Sequence, residues 1–232
     1  MSASAVPRLL ILETSGRTGR VALALGDALR GERVLDEARR NGRDLAPAAA
    51  ELLAEQGWRP RDVQAVIVSR GPGSYTGLRV GIMSAKTFAY ATGCALIAVD
   101  TFAAIARQAP DTVTRVDVFA DAQQDKIYVQ PFARSEEGWR PLSELAIRPF
   151  ADWLAAREAD TAVMGPGLRK WAARLPAEVP LVDASLWEPR SASLLRIGLT
   201  RYLAGERDDP WALEPLYLRP SSAEEQWRAR SS

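Results

Sequence analysis

Ser69-Arg70-Gly71-Pro72-Gly73-Ser74-Tyr75-Thr76-Gly77-Leu78-Arg79-Val80-Gly81-Ile82 decides how the chain folds. Upstream lies Val63-Gln64-Ala65-Val66-Ile67-Val68-Ser69, a short apolar, β-branched run suited to a sheet interior. Downstream, Tyr75 to Ala91 carries Leu78, Ile82, Ala85 and Ala89 at helical spacing. Pro72 fixes its own φ and restricts the residue before it, so Gly71 and Gly73 absorb a sharp strand-to-helix turn. Gly77 and Gly81, four apart, bare one helix face for close approach to the sheet. Glycine-rich loops of this kind also cradle phosphates. Here Thr76 stands where the dinucleotide fingerprint needs its third glycine, and Gly77-Leu78-Arg79 stands where the Walker pattern ends in Gly-Lys-Ser/Thr. A structural glycine loop (Gly71, Pro72, Gly73, Gly77) is favoured over a phosphate cradle.

Composition narrows the chemistry. With 232 residues, 47% hydrophobic and 25% charged, the chain can bury a core without staples, as one large domain or two small ones. A single cysteine, Cys94, excludes an internal disulfide and reads as a small buried residue in a reducing compartment. Only four apolar residues separate Arg8 from Glu13, and no apolar run approaches the ~20 residues of a membrane span, so a cytoplasmic protein without membrane contact is expected. Thirty basic residues balance 29 acidic ones for a net charge of +1, which argues against autonomous nucleic-acid binding. The short basic cluster Arg228-Ala229-Arg230 reads as a frayed tail. The absence of histidine removes Ser-His-Asp and Cys-His relays, HExxH sites and imidazole metal ligands, and, with no nucleophile constellation in view, argues against a protease.

Along the chain, Leu9 to Ser15 reads as a strand, Gly16-Arg17-Thr18-Gly19 as a hairpin turn, and Arg20 to Gly26 as the returning strand. A third strand is expected near Glu32 to Ala38, then a helix from Asp44 to Gln56, the strand and helix around the glycine loop, and a strand at Ala95 to Val99. After a helix from Thr101 to Gln108 the βββαβα order recurs: strands at Arg115 to Ala120, Lys126 to Ala133 and Trp139 to Ile147, a helix from Phe150 to Arg157, a strand at Thr161 to Gly165, and a helix opened by Pro166-Gly167. A closing helix spans Ser191 to Gly205. The expected fold class is α/β with internal duplication, divided at 1–109 and 110–232, the second part including the closing helix and tail, with no sequence identity between the halves and no linker to keep them from packing as one body.

Glu13-Thr14-Ser15 after the first strand, the Arg70 to Arg79 loop, Asp121 and Gln123 before Lys126-Ile127-Tyr128, and the ending Pro215-Leu216-Tyr217-Leu218-Arg219 together resemble the TsaB (YeaZ) family. That resemblance runs through most of the chain. It implies the acetate-kinase, sugar-kinase, Hsp70 and actin (ASKHA) architecture built from ribonuclease-H-like units. It further implies a non-catalytic scaffold or dimerisation subunit in the formation of N6-threonylcarbamoyladenosine at position 37 of tRNAs decoding ANN codons. The implied partners are a TsaD-like paralogue that transfers the threonylcarbamoyl group, a TsaE-like ATPase, and a second copy of the chain when alone, with tRNA met only through the complex. No cofactor is expected to be held tightly, and ATP or ADP belongs at a partner interface. The competing reading is a stand-alone ATP-dependent kinase or acyl-transfer enzyme of the same fold. Two positions depart from the family pattern: Glu13 where Asp is common, and Asn41-Gly42-Arg43-Asp44 where a His-Ser or His-Thr pair is common.

Glu13, Thr14, Ser15 and Gly16, with Asp121 and Gln123 in the second half, are candidate vestigial phosphate loops, since ASKHA enzymes hold phosphate through magnesium at such hairpins. The competing account is a hairpin end whose Thr and Ser hydroxyls satisfy turn amides. Asp125 lies four residues from Asp121, a spacing that could share a metal, though solvated hairpin residues are commoner. No catalytic or metal-binding residue is assigned. For a partner interface the candidates are Leu45, Ala48, Ala49, Leu52 and Leu53 on the first helix and Leu78, Ile82, Met83 and Tyr90 on the second, because the apolar residues spread wider than one buried stripe needs.

Overall fold

The computed structural model describes residues 6–35 and 43–218. Two five-stranded sheets form the frame. The first has the order β3-β2-β1-β4-β5, with β1 (Arg8–Glu13) antiparallel to β2 (Arg20–Leu25) and parallel to β4 (Ala65–Gly71), β2 antiparallel to β3 (Ala28–Val34), and β4 parallel to β5 (Ala95–Asp100). In the second, β6 (Arg115–Asp121) lies between antiparallel β7 (Lys126–Ser135) and parallel β10 (Ala162–Met164), while β8 (Gly138–Pro141) and β9 (Ala146–Pro149) both pair with β7. Strands β1, β2 and β4 thus correspond to β6, β7 and β10. The parallel bridge of Val163 to Leu181 stands where β5 stands in the first sheet.

Alternation along β1 and β4 explains the layering. Leu10, Leu12, Val66 and Val68 face α1 (Leu45–Glu55) and α2 (Tyr75–Thr92), whereas Leu9, Ile11, Ala65 and Ile67 face the opposite way. That second face is covered by α6 (Ser191–Leu203) and by Ala104 of α3 (Thr101–Ala106). The last helix of the 110–232 segment therefore packs on the sheet of the 1–109 segment. Burying Leu194 and Leu195 there contributes roughly 1.5–3 kcal/mol each. Phe102, Ile105 and Ala106 of α3 instead pack with Val116, Val118 and Met164 of the second sheet, so this short helix is shared by both halves. On the outer face of the second sheet, Phe119, Val129 and Val163 meet α4 (Phe150–Ala156) and α5 (Leu168–Trp171).

Two expectations need correction. The third strand begins at Ala28 rather than near Glu32, because Gly26, at φ 60°, and Asp27 close a two-residue hairpin directly after β2. The single strand expected from Trp139 to Ile147 is two strands, since Pro141 ends β8 and residues 142–145 separate it from β9.

The glycines of α2 set how closely it lies on β1. A Cβ at Gly77 would stand 2.0 Å from the Thr14 carbonyl oxygen, and one at Gly81 2.1 Å from Thr14 Oγ1. Gly77→Ala is expected to cost about 1–3 kcal/mol through forced backbone displacement, and Thr87→Ala, on the exposed side of the same helix, within about 0.5 kcal/mol. Urea unfolding of the two variants measures the contrast.

Candidate functional site

A cavity of about 900 Å³ separates the halves. One wall is the β1–β2 hairpin (Ser15, Gly16, Arg17) with the start of α2 (Gly73, Ser74, Thr76, Gly77), and the other includes Asp121, Tyr128, Pro166, Arg169 and Glu188. The Ser74 amide donates to the Ser15 carbonyl at 2.8 Å, while the Ser74 hydroxyl caps α2 by accepting from the Gly77 amide at 3.2 Å. Gly71, at φ 118°, makes the turn. The bare helix face expected of Gly77 and Gly81 is present.

The second half contains a counterpart that the sequence reading missed. Gly165-Pro166-Gly167 follows β10 as Gly71-Pro72-Gly73 follows β4, with Gly165 at φ 116° against 118° for Gly71. A Cβ at Gly165 would come within 2.4 Å of the Phe119 carbonyl oxygen. Three shared residues are too few to register as identity between halves, yet Pro72 and Pro166 both line the cavity.

Glu13 is fully buried, and its Oε1 accepts from the Ser15 amide at 2.6 Å, the Ser15 hydroxyl at 2.5 Å and the Gly16 amide at 3.2 Å. The carboxylate itself, not the Thr and Ser hydroxyls, satisfies the turn amides. Its Oε2 is buried without a hydrogen-bond partner. Burial pushes the Glu13 carboxyl above its usual value near 4.5, against the opposing effect of these hydrogen bonds. Asp121 does line the cavity, but both its oxygens accept from Lys170 Nζ at 3.0 Å, and Oδ1 also accepts from Trp171 Nε1 at 3.3 Å and the Gln123 amide at 3.2 Å. Asp125 pairs with Arg174 at 2.9 Å. Gln123, Gln124 and Asp125 occupy consecutive left-handed conformations, with φ of 62°, 50° and 54°. Among the described residues no three His, Cys, Asp or Glu side chains converge to hold a metal. A magnesium-bound phosphate at either hairpin is a poor fit, because Glu13 is turned into its own loop and Asp121 is engaged by a lysine.

The expected partner face needs the larger correction. Leu45, Ala48, Leu52, Leu53, Leu78 and Ile82 are all buried in the core of this chain, because α1 and α2 turn these positions inward, toward the first sheet. Met83 and Tyr90 are 60% and 78% exposed. Ala49 lines an apolar groove of about 170 Å³ between α1 and α2, together with Leu45, Ala46, Ala50, Leu53 and Phe88. Trp211, which the sequence reading did not single out, is 82% exposed and meets the Tyr90 ring edge-on at 6.0 Å. From there the chain runs back along α2: Leu216 donates to the Arg70 carbonyl at 2.8 Å, and Tyr217 stacks on Tyr75 at 4.9 Å while its hydroxyl meets Arg79 Nε at 3.0 Å. This gives the tyrosine-leucine ending its place. Asn41, Gly42, Arg219 and the Trp227 to Arg230 cluster lie outside the described residues.

The family model described as "TsaD: tRNA N6-adenosine threonylcarbamoyltransferase" matches residues 36–183. The tRNA threonylcarbamoyladenosine biosynthesis protein TsaB of Bacillus subtilis is 26% identical over 226 residues, covering 94% of this chain and 97% of that protein. The chain belongs to the TsaB (YeaZ) group of this family. The Haemophilus influenzae TsaB is 29% identical, covering 91% of this chain and 93% of its own length. Among solved structures, YeaZ from Pseudomonas aeruginosa superposes with a TM-score of 0.79 at 26% identity, covering 91% of this chain and 100% of that one. The paired sheets are those of an ASKHA-like architecture, as the TsaB resemblance implies.

Glu13 gives this family member a pH signature. Because the folded-state value is raised, stability is unaffected below the unfolded value and falls as pH rises from near 4.5 toward the folded value. Asp117, likewise raised by burial, adds a fall of the same sign. Glu13→Gln is expected to remove the Glu13 share, so that urea unfolding from about pH 4.5 to about pH 7 gives a shallower decline than the parent chain. Equal slopes would show that Glu13 ionises alike in both states.

Proposed function

We propose that this chain is a non-catalytic scaffold subunit in the formation of N6-threonylcarbamoyladenosine at position 37 of tRNAs decoding ANN codons, where it binds and supports a TsaD-type transferase. The observation that carries the reading is the apolar α1–α2 groove, with Met83, Tyr90 and Trp211 exposed on and beside α2, in a chain of the TsaB group. Large exposed side chains beside an apolar groove are what a partner's helices cover. The TsaD-like paralogue takes this face in the complex, and a second copy takes it in a homodimer. A TsaE-like ATPase joins the assembled pair.

Several features support a non-catalytic role. The chain has no histidine, Glu13 serves its own turn, and Asp121 is engaged by Lys170. The same features argue against tight magnesium-nucleotide binding by this chain alone, so ATP or ADP is assigned to a partner interface. A net charge of +1 supports indirect contact with tRNA through the complex.

Pull-down of the tagged chain from its own cells, with mass spectrometry and light scattering, is expected to recover a TsaD-like protein in a defined complex. Met83→Asp and Tyr90→Asp should each weaken that complex by about 2 kcal/mol or more, roughly thirtyfold in Kd, with the circular dichroism melt unchanged. A lone chain that turns over ATP would instead establish the stand-alone enzyme.

A further inference from the structure

A second cavity, of about 170 Å³, opens on the outer face of the second sheet. It exists because β7 changes partner midway: β9 pairs with residues 126–129 and β8 with residues 132–135. At the gap, Leu142 donates to the Pro131 carbonyl at 2.8 Å and Gln130 Nε2 to the Ser143 carbonyl at 3.1 Å. The space between the two strands reaches Asp117 in the middle of β6, which is only 8% exposed.

Asp117 Oδ2 accepts from Trp153 Nε1 at 2.8 Å, and Oδ1 accepts no hydrogen bond among the described residues. Three guanidiniums line the same cavity. Arg115 is paired with Glu158. Arg157 Nη2 donates to the carbonyls of Ala159 and Thr161 at 3.3 and 2.6 Å, while its Nε is buried without a partner. Arg148 has no ion pair or hydrogen bond among the described residues. All three act electrostatically on Asp117, whose carboxyl burial pushes up in pKa.

An aspartate among arginines ordinarily closes on one as a forked ion pair. Here the opposite charges stand on different walls, Asp117 tethered by Trp153 and Arg157 by backbone carbonyls. Asp117 Oδ1, an acceptor without a donor among the described residues, and the Arg148 guanidinium line the same cavity, and a ligand carrying both charges matches them. A zwitterion suits both groups, its ammonium donating to Asp117 Oδ1 and its carboxylate accepting from Arg148. Val129, Phe132 and Leu142 supply apolar wall for a short side chain. We propose that this cavity binds a small free α-amino acid. The site shares no residue with the cleft or the α1–α2 face, so the scaffold reading stands or falls separately.

Calorimetric titration of the full chain with glycine, L-alanine and L-serine tests the assignment. Saturable binding of one molecule per chain is expected, with neither propionate nor ethylamine binding at matched concentrations. Asp117→Asn, which keeps an acceptor for Trp153, and Arg148→Gln should each weaken binding by about tenfold or more, with thermal melts confirming that both variants fold. No binding by any of the three amino acids would overturn the proposal. Propionate binding as tightly as alanine would also overturn it, leaving a site for anions alone.

Discussion

The first turns of α2 lie so close to the chain leaving β1 that no side chain fits between them. Ser74 bonds the Ser15 carbonyl, and Gly73, Gly77 and Gly81 leave room for the carbonyls of Ser15 and Thr14 and the Thr14 hydroxyl. This contact fixes the β1–β2 hairpin, and the fixed hairpin holds Ser15 and Gly16 where Glu13 can satisfy both amides. It also sets the height of α2 over the first sheet. The depth of the groove beside α1 and the outward direction of Met83 and Tyr90 follow from that height. A methyl group at Gly77 would therefore be felt in the cleft and on the outer helix face alike.

The same solution occurs twice in the molecule. Gly-Pro-Gly turns leave β4 and β10 with nearly equal φ at their first glycines, though Gly71-Pro72 is cis and Gly165-Pro166 is not. The β1–β2 hairpin and Asp121 at the end of β6 face a common cleft, and the acidic residue beside each is held by groups of its own half. Glu13 is spent on its own turn, while Asp121 gathers Lys170, Trp171 and Gln123. Each carboxylate braces the wall of its own half of the cleft.

Local signals carried most of the fold. The β-branched run before Gly71, the helical spacing after Ser74 and the small face of Gly77 and Gly81 were each legible, because each is a property of neighbouring residues. The tight hairpin also has a local signal, the Gly26-Asp27 pair directly after the apolar alternation of β2. Periodicity could not divide the buried from the open positions of α1 and α2, because the apolar arc of a helix does not reveal how much of it the chain's own sheet will cover. Leu52 and Ile82 look no different in sequence from interface residues, and only the sheet beneath them decides. Trp211 was missed for the complementary reason: its neighbour Tyr90 is more than a hundred residues away.

The position of α6 has a consequence for how this molecule comes into being. Leu9, Ile11 and Ile67 leave the ribosome well over a hundred residues before Leu194 and Leu195, which cover them. Until α6 is made, that side of the first sheet is covered only in part, by Ala104 of α3, and strands β6 to β10 are all synthesised before it is fully shielded from water. The two sheets are duplicated in architecture, but the first is completed by a helix that follows the second in the chain. Its completion requires closing a loop well over a hundred residues long, which places this contact among the slow, late events of folding.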